Sequence, residues 1–305
     1  VFTLIARTIR LTLLFACAAA FVAACSGSDS DAGGATSSTT VGPAFTKLPP
    51  TGAATTCGPD SGATREAGML TIATDSPAYE PWFNDNDPAN GKGFEGAVAR
   101  SVASKLGYSP DKTKFVSIAF DEALQPGDKP FDFDINQFTI LDTRRAAVDF
   151  SSPYYAVAQS IVAMADNPAA KVEALSELGA FKLGAQRGST SLAAIVETLQ
   201  PTTPALEFAT NDEAKAALQE GTIDALVVDI PTGFEIAASQ IPGSVLVGQF
   251  PRPNEVTEFF GLVLQKGSRL TACVSAAVDS LFQDGTLDKL AKEWLADTAG
   301  AKVLE

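Results

Sequence analysis

The chain has 305 residues, with 22 Lys plus Arg against 36 Asp plus Glu, a formal net charge of −14 and no histidine. An acidic balance of this size argues against nucleic acid as a partner, because a polyanion is bound through an excess of Lys and Arg. The lack of histidine removes His/Cys metal sites and any reaction needing imidazole as base, so neither a metal nor a cofactor is expected.

Residues 1–25 carry Arg7 and Arg10, then an apolar run from Leu11 to Ala24, then Cys25. The run is shorter than the ~20 apolar residues of a membrane-spanning helix and fits the core of a secretory signal peptide. Val22-Ala23-Ala24-Cys25 is similar to a bacterial lipobox, in which cleavage precedes the cysteine and the cysteine carries lipid. The competing reading is an uncleaved signal anchor. Removing residues 1–25 takes away two arginines and no acid, which moves the net charge from −14 to −16. Residues 26–64 are rich in Ser, Gly, Thr, Ala and Pro, so they bury too little to offset the entropy of ordering and read as a flexible tether. The expectation is an extracytoplasmic protein anchored to the membrane by lipid on Cys25. Cys17 leaves with the signal, and Cys57 and Cys273 remain, either as a disulfide in an oxidising compartment or as two free thiols.

The rest of the chain, about 240 residues, suits two small domains or one large one. Apolar strands alternate with amphipathic helices, the α/β pattern. Leu70 to Thr74 reads as a strand ending at Asp75, and the loop SPAYEPWF after it is expected to expose Tyr79 and Trp82. Phe94, Val98, Val102 and Leu106 recur at helical spacing, so a helix over 94–106 closed by Gly107 is predicted. Phe115 to Phe120 follows as a second strand.

Residues 131–155, FDFDINQFTILDTRRAAVDFSSPYY, are the centre of the pattern. They read as a buried strand from Phe133 to Phe138, a helical turn with Arg144 and Arg145, and an aromatic segment ending at Tyr154 and Tyr155. An arginine just beyond a strand end can take a small carboxylate through two parallel hydrogen bonds, or can stand on a solvated surface helix. Here Thr139-Ile140-x-x-x-Arg144 and Val148-Asp149-Phe150-Ser151-x-Pro153-Tyr154-Tyr155 resemble the signature of the polar amino-acid-binding proteins of ABC importers, the family-three solute-binding proteins. The resemblance runs from about Met69 to Leu295, and departs at Leu141, where the family usually has threonine.

The resemblance implies a two-lobed, periplasmic-binding-protein-like type II fold, with two parallel-sheet lobes joined by a two-strand hinge and the ligand between them. It assigns the ligand's carboxylate to Arg144 and Thr139 and makes Tyr79 and Phe120 aromatic walls. Asp75, Trp82 and Gln137 are left to face the ligand's side chain. Asp75 would favour a cationic tip, or would bond N–H groups of its own loop. Gln137 stands where many relatives have glycine or serine, and either shortens the pocket or offers donor and acceptor to an amide. Polar uncharged ligands are placed ahead of basic ones, with acidic ones behind.

Ser160 to Met164 is a strand crossing into a second lobe. Phe181 to Gln186 is a strand, Arg187 to Thr190 a turn and Ser191 to Leu199 a helix. Glycine and hydroxyl residues at that turn suit an anion, or an ordinary helix cap. The resemblance puts carboxylate contacts at Thr190, next to Ser189. Asp229 ends the strand that follows Gly221, where it can meet an ammonium group or cap the helix begun by Pro231. The resemblance gives it the ligand's α-amino group. Val245 to Phe250, Phe259 to Leu264 and a helix from Leu270 to Phe282 lead to residues 284–295, which match the family's terminal helix pattern. Lobe 1 is expected over 65–157 and 251–305, and lobe 2 over 158–250. The expected function is capture of a polar amino acid by a monomeric lipoprotein, with no enzymatic activity, for delivery to an ABC permease. The alternatives are an amino-acid sensor for a signalling receptor and an enzyme on the same fold.

Overall fold

The computed structural model describes residues 57–251, 258–295 and 301–304, which build two five-stranded sheets. The signal segment, Cys25 and the tether up to residue 56 lie outside the described residues. β1 (Leu70–Thr74) is buried along its whole length. Leu70 and Ile72 pack toward α1 (Phe94–Lys105), and Ala73 packs on the other face with Phe131 and Phe138. A strand covered on both faces reads as continuously apolar, as this one does. Phe94, Val98 and Val102 form the buried stripe of α1. The chain enters α1 through Gly93 at φ +84°, where a Cβ would lie 2.5 Å from the Trp82 carbonyl oxygen, so a side chain is excluded there.

β2 (Thr113–Ser117) stops short of the expected Phe120, which instead opens the single turn α2 (Phe120–Ala123) and stacks on Phe138 at 4.8 Å between centroids. β3 is only Phe133–Asp134. Gln137 adopts φ +49°, a left-handed backbone through which a strand cannot continue, and the chain rejoins the sheet by a bridge between Thr139 and Phe260. α3 (Asp142–Arg145) turns the chain into β4 (Val148–Val157), which passes through Ala158 straight into β5 (Gln159–Met164).

The second lobe continues with β6 (Leu183–Gln186) and α4 (Thr190–Ala194), whose helix runs on to Leu199 with wider i→i+5 turns. Then come β7 (Leu206–Phe208), α5 (Asn211–Gln219), β8 (Ala225–Asp229), α6 (Ile230–Glu235) and β9 (Ser244–Gln249). β10 (Glu258–Gln265) returns to the first sheet, and α7 (Thr271–Gln283) and α8 (Thr286–Trp294) pack on α1.

The sheets run β2-β1-β3-β10-β4 and β7-β6-β8-β5-β9. They are mixed, which corrects the expectation of two parallel sheets. The strands that cross between lobes enter against the local direction: β10 is antiparallel to β3 and β4, and β5 to β8 and β9. Residues 57–64, assigned to the tether, pack on the first lobe: Thr64 is buried, Ala63 touches the core and a disulfide joins Cys57 to Cys273. The last described residues also depart from their expected lobe. Val303 pairs with Gln249 and Leu304 is fully buried in the second-lobe core.

Candidate functional site

The C-terminal ends of the strands of the two lobes face one another, the usual place for a ligand of an open α/β sheet. Phe120, Gln137, Thr139 and Arg144 of the first lobe line one side of the cleft. Ser189, Thr190 and Asp229 of the second line the other, together with Gln186, Ser191, Asn211 and Val228. The space between them is about 350 Å³ with the open solvent at its mouth included.

Arg144 lies over the face of Phe120, with 5.7 Å from guanidinium carbon to ring centroid. Its Nη1 donates to the Thr139 carbonyl at 2.7 Å and its Nη2 to the Gly188 carbonyl of the other lobe at 2.8 Å. Loss of water lowers its pKa to about 10, against the opposing pull of Glu258 and Asp229, so it is cationic at neutral pH. The hydroxyls of Thr139 and Thr190 meet at 3.2 Å across the cleft. Ser189 caps α4: its oxygen accepts from the Leu192 N–H at 3.1 Å and its hydroxyl donates to the Gln186 carbonyl at 2.6 Å.

Asp229 ends β8 at the start of α6 and makes no side-chain capping bond there. Its carboxylate accepts from Gln159 Nε2 at 3.1 Å and is raised to about 8, first by loss of water and then by the charge of Glu258. An arginine and an aspartate from opposite lobes thus share one cleft, with hydroxyls between them. Such an arrangement can hold a molecule bearing a carboxylate and an ammonium group.

Three sequence-predicted residues stand back from the cleft lining. Asp75 turns to its own loop, with Oδ1 accepting from the Ser76 N–H at 2.7 Å and Oδ2 from Gln186 Nε2 at 3.3 Å. Tyr79 donates to Gln137 Oε1 at 2.8 Å and accepts from Asn211 Nδ2 at 2.6 Å. Trp82, expected to be exposed in its loop, is fully buried against Phe94, Tyr155 and Phe260, and its Nε1 donates to Thr232 Oγ1 at 2.8 Å. An indole finds both apolar cover and a hydrogen-bond acceptor in that place, which a proline-rich loop in water cannot supply.

The sequence model of the bacterial extracellular solute-binding proteins, family 3, matches residues 70–297. The chain belongs to this family. Among curated relatives of this solute-binding protein is the ABC transporter glutamine-binding protein GlnH of Bacillus subtilis (strain 168), 29% identical over 222 residues, 70% of this chain and 77% of that one. Another is the L-cystine-binding protein TcyJ of Escherichia coli (strain K12), 26% identical over 239 residues, 75% and 84% of the two chains. An ancestral arginine-binding protein bound to glutamine superposes with a TM-score of 0.63 at 32% identity, over 74% of this chain and 97% of that one. The relatives are named as binding proteins, GlnH as that of an ABC transporter, and the family-3 chain is a binding protein and not an enzyme. Among its described residues no helix is long and apolar enough to cross a membrane, and no His/Cys/Asp/Glu group could hold a metal.

Sequence reasoning missed several residues of the candidate site. Gln186 ends a strand that the sequence does reveal, so the strand-edge rule could have found it; Asn211 starts α5, beyond the end of β7, in a stretch with no predicted element. Gln159, Glu258 and Glu95 carried no signal. Gln159 and Glu258 reach the site from the hinge strands. Glu95 looks like a first-turn helix residue, yet it is fully buried and accepts the Gln137 N–H at 2.8 Å, the Gln137 side-chain amide and the Tyr154 hydroxyl.

Proposed function

We propose that this protein is the extracytoplasmic receptor of an ABC importer, capturing a polar amino acid between its lobes and handing it to the permease. The observation carrying this reading is the pair Arg144 and Asp229, a cation and an acid that an ammonium would ionise, brought from opposite lobes to one cleft. Arg144, with Thr139, Ser189 and Thr190, takes the α-carboxylate, since guanidinium forks onto carboxylate. Asp229 takes the α-ammonium, and Phe120 walls the aliphatic stem, with Tyr79 behind Gln137. The glutamine, cystine and arginine named for the relatives each carry both α-groups, which supports the amino-acid class.

The lobes divide at residues 157/158 and 250/251, and the ligand closes them by bending at these two crossings. Residues 301–304 go with lobe 2. The receptor works as a monomer, held at the membrane by lipid on Cys25. Detergent partitioning of wild type and Cys25→Ala in cells checks the anchor: wild type enters the detergent phase and the variant does not.

Calorimetry on the mature protein tests the clamp. Arg144→Ala and Asp229→Ala are each expected to weaken amino-acid binding by ~2–5 kcal/mol, much of it the cost of leaving the ligand's opposite charge unpaired. A variant that keeps wild-type affinity takes its residue out of the site.

A further inference from the structure

We infer that Gln137, positioned by Glu95, sets the length of side chain the cleft accepts, so that the ligand is an amino acid with a short, uncharged polar side chain. The inference rests on the amino-acid reading above. Gln137 lies in the cleft wall with its backbone at φ +49°. A non-glycine residue held in the left-handed region is strained, and such strain persists only where surrounding structure fixes it. Here Glu95 fixes it, since the same fully buried carboxylate accepts both the backbone N–H and the side-chain amide of Gln137.

The bonds continue in one direction across the cleft. Gln137 presents its NH2 to Glu95 and its carbonyl to Tyr79. Tyr79 donates to that carbonyl at 2.8 Å, and its own oxygen accepts from Asn211 Nδ2 of the other lobe at 2.6 Å. The Gln137 amide is therefore engaged at both ends by the protein and is not offered to a ligand amide. Asp75, the other polar group on this side, is engaged by Ser76 and Gln186. A long side chain must push Gln137 aside, which strips donors from a carboxylate with no access to water. A short polar one meets the chain of bonds intact.

The test is a calorimetric panel of asparagine, serine, glutamine and arginine against wild type, Gln137→Gly, Glu95→Gln and Tyr79→Phe. Glycine adopts the backbone of residue 137 freely, so Gln137→Gly deletes the wall without new strain. Wild type is expected to bind asparagine more tightly than glutamine, with arginine weakest. Gln137→Gly should raise the glutamine-to-asparagine affinity ratio about tenfold or more, the scale on which a pocket resolves one methylene. Glu95→Gln should move the ratio the same way, a readout that general destabilisation does not shift. If Glu95→Gln does not fold, Tyr79→Phe reads the same ratio from the other end of the amide.

A wild type that prefers glutamine or arginine, or a ratio unmoved in Gln137→Gly, overturns the inference while the amino-acid reading stands. A wild type that binds no amino acid overturns both.

Discussion

Asp229 carries a carboxyl raised to about 8 where an ordinary aspartate titrates near ~3.9. Glu95 is raised to about 7 by burial, and Asp75, Asp132 and Asp134 are raised by the same cause. The folded chain therefore holds protons that the unfolded chain has released. The stability these groups contribute is complete below their unfolded values and is lost as pH rises through the folded ones. Thermal melts of the mature protein should show the midpoint falling between pH 5 and pH 8.5. Asp229→Asn should make that decline shallower up to about pH 8, and Glu95→Gln up to about pH 7. A midpoint that rises over this range contradicts the assignment. The same proton links to the ligand: an ammonium beside Asp229 favours its ionised form, so binding at pH 7 should release a proton. Apparent binding enthalpies in phosphate and in Tris should then differ, and should agree in Asp229→Asn. Equal enthalpies for wild type would mean that no ammonium meets this carboxylate.

At the scale of elements, the parts legible in the sequence are those whose pattern and packing coincide. β1, α1, β10 and α7 are apolar at their own period and bury those residues. The segment around Gln137 was not legible as irregular, because its bend comes from the buried Glu95, 42 residues away, and leaves no local mark. Trp82 was misread for a related reason: its cover comes from Phe94, Tyr155 and Phe260, none of them its neighbours in sequence. Arg144, on α3, and Asp229, at the end of β8, were legible through the family resemblance of the segments that carry them. The tail at 301–304 shows the limit of pattern most plainly. Leu304 fills space above Gly248, where a Cβ would come within 2.7 Å of the Lys302 carbonyl and 2.8 Å of Leu304 Cγ. Gln249 anchors the tail through its N–H to Lys302 and its carbonyl to the Leu304 N–H, at 2.7 and 3.0 Å. Leu304→Ala is expected to cost ~2–5 kcal/mol in urea unfolding, as for other buried leucines. Gly248→Val should cost ~1–3 kcal/mol by overpacking. A Leu304→Ala protein as stable as wild type would show that the tail does not hold this place.

For the whole molecule, two links bind distant parts of the chain. The Cys57–Cys273 disulfide closes a loop with a sequence separation of 216 and fixes the first of the described residues to α7. Contacts across the cleft join the lobes: Arg187 pairs with Asp121 at 3.0 Å, Gln240 Nε2 donates to the Glu80 carbonyl at 3.1 Å and the Trp82 indole donates to Thr232. The ion pair is exposed and contributes little by itself. The indole bond is buried, so opening the lobes has to break it and wet its surroundings. The chain has two tryptophans, Trp82 and Trp294, and Trp294→Phe leaves emission that reports on Trp82 alone. In that protein, ligand is expected to shift emission to shorter wavelength as the open fraction closes and the indole loses water. Adding Thr232→Val removes one buried acceptor, worth about 1–3 kcal/mol when its donor is left unmade. Affinity should fall accordingly, through faster dissociation, because the bond forms only after the lobes meet. Ligand that binds by calorimetry yet leaves the Trp82 emission and the Thr232→Val dissociation rate unchanged would separate this contact from closure.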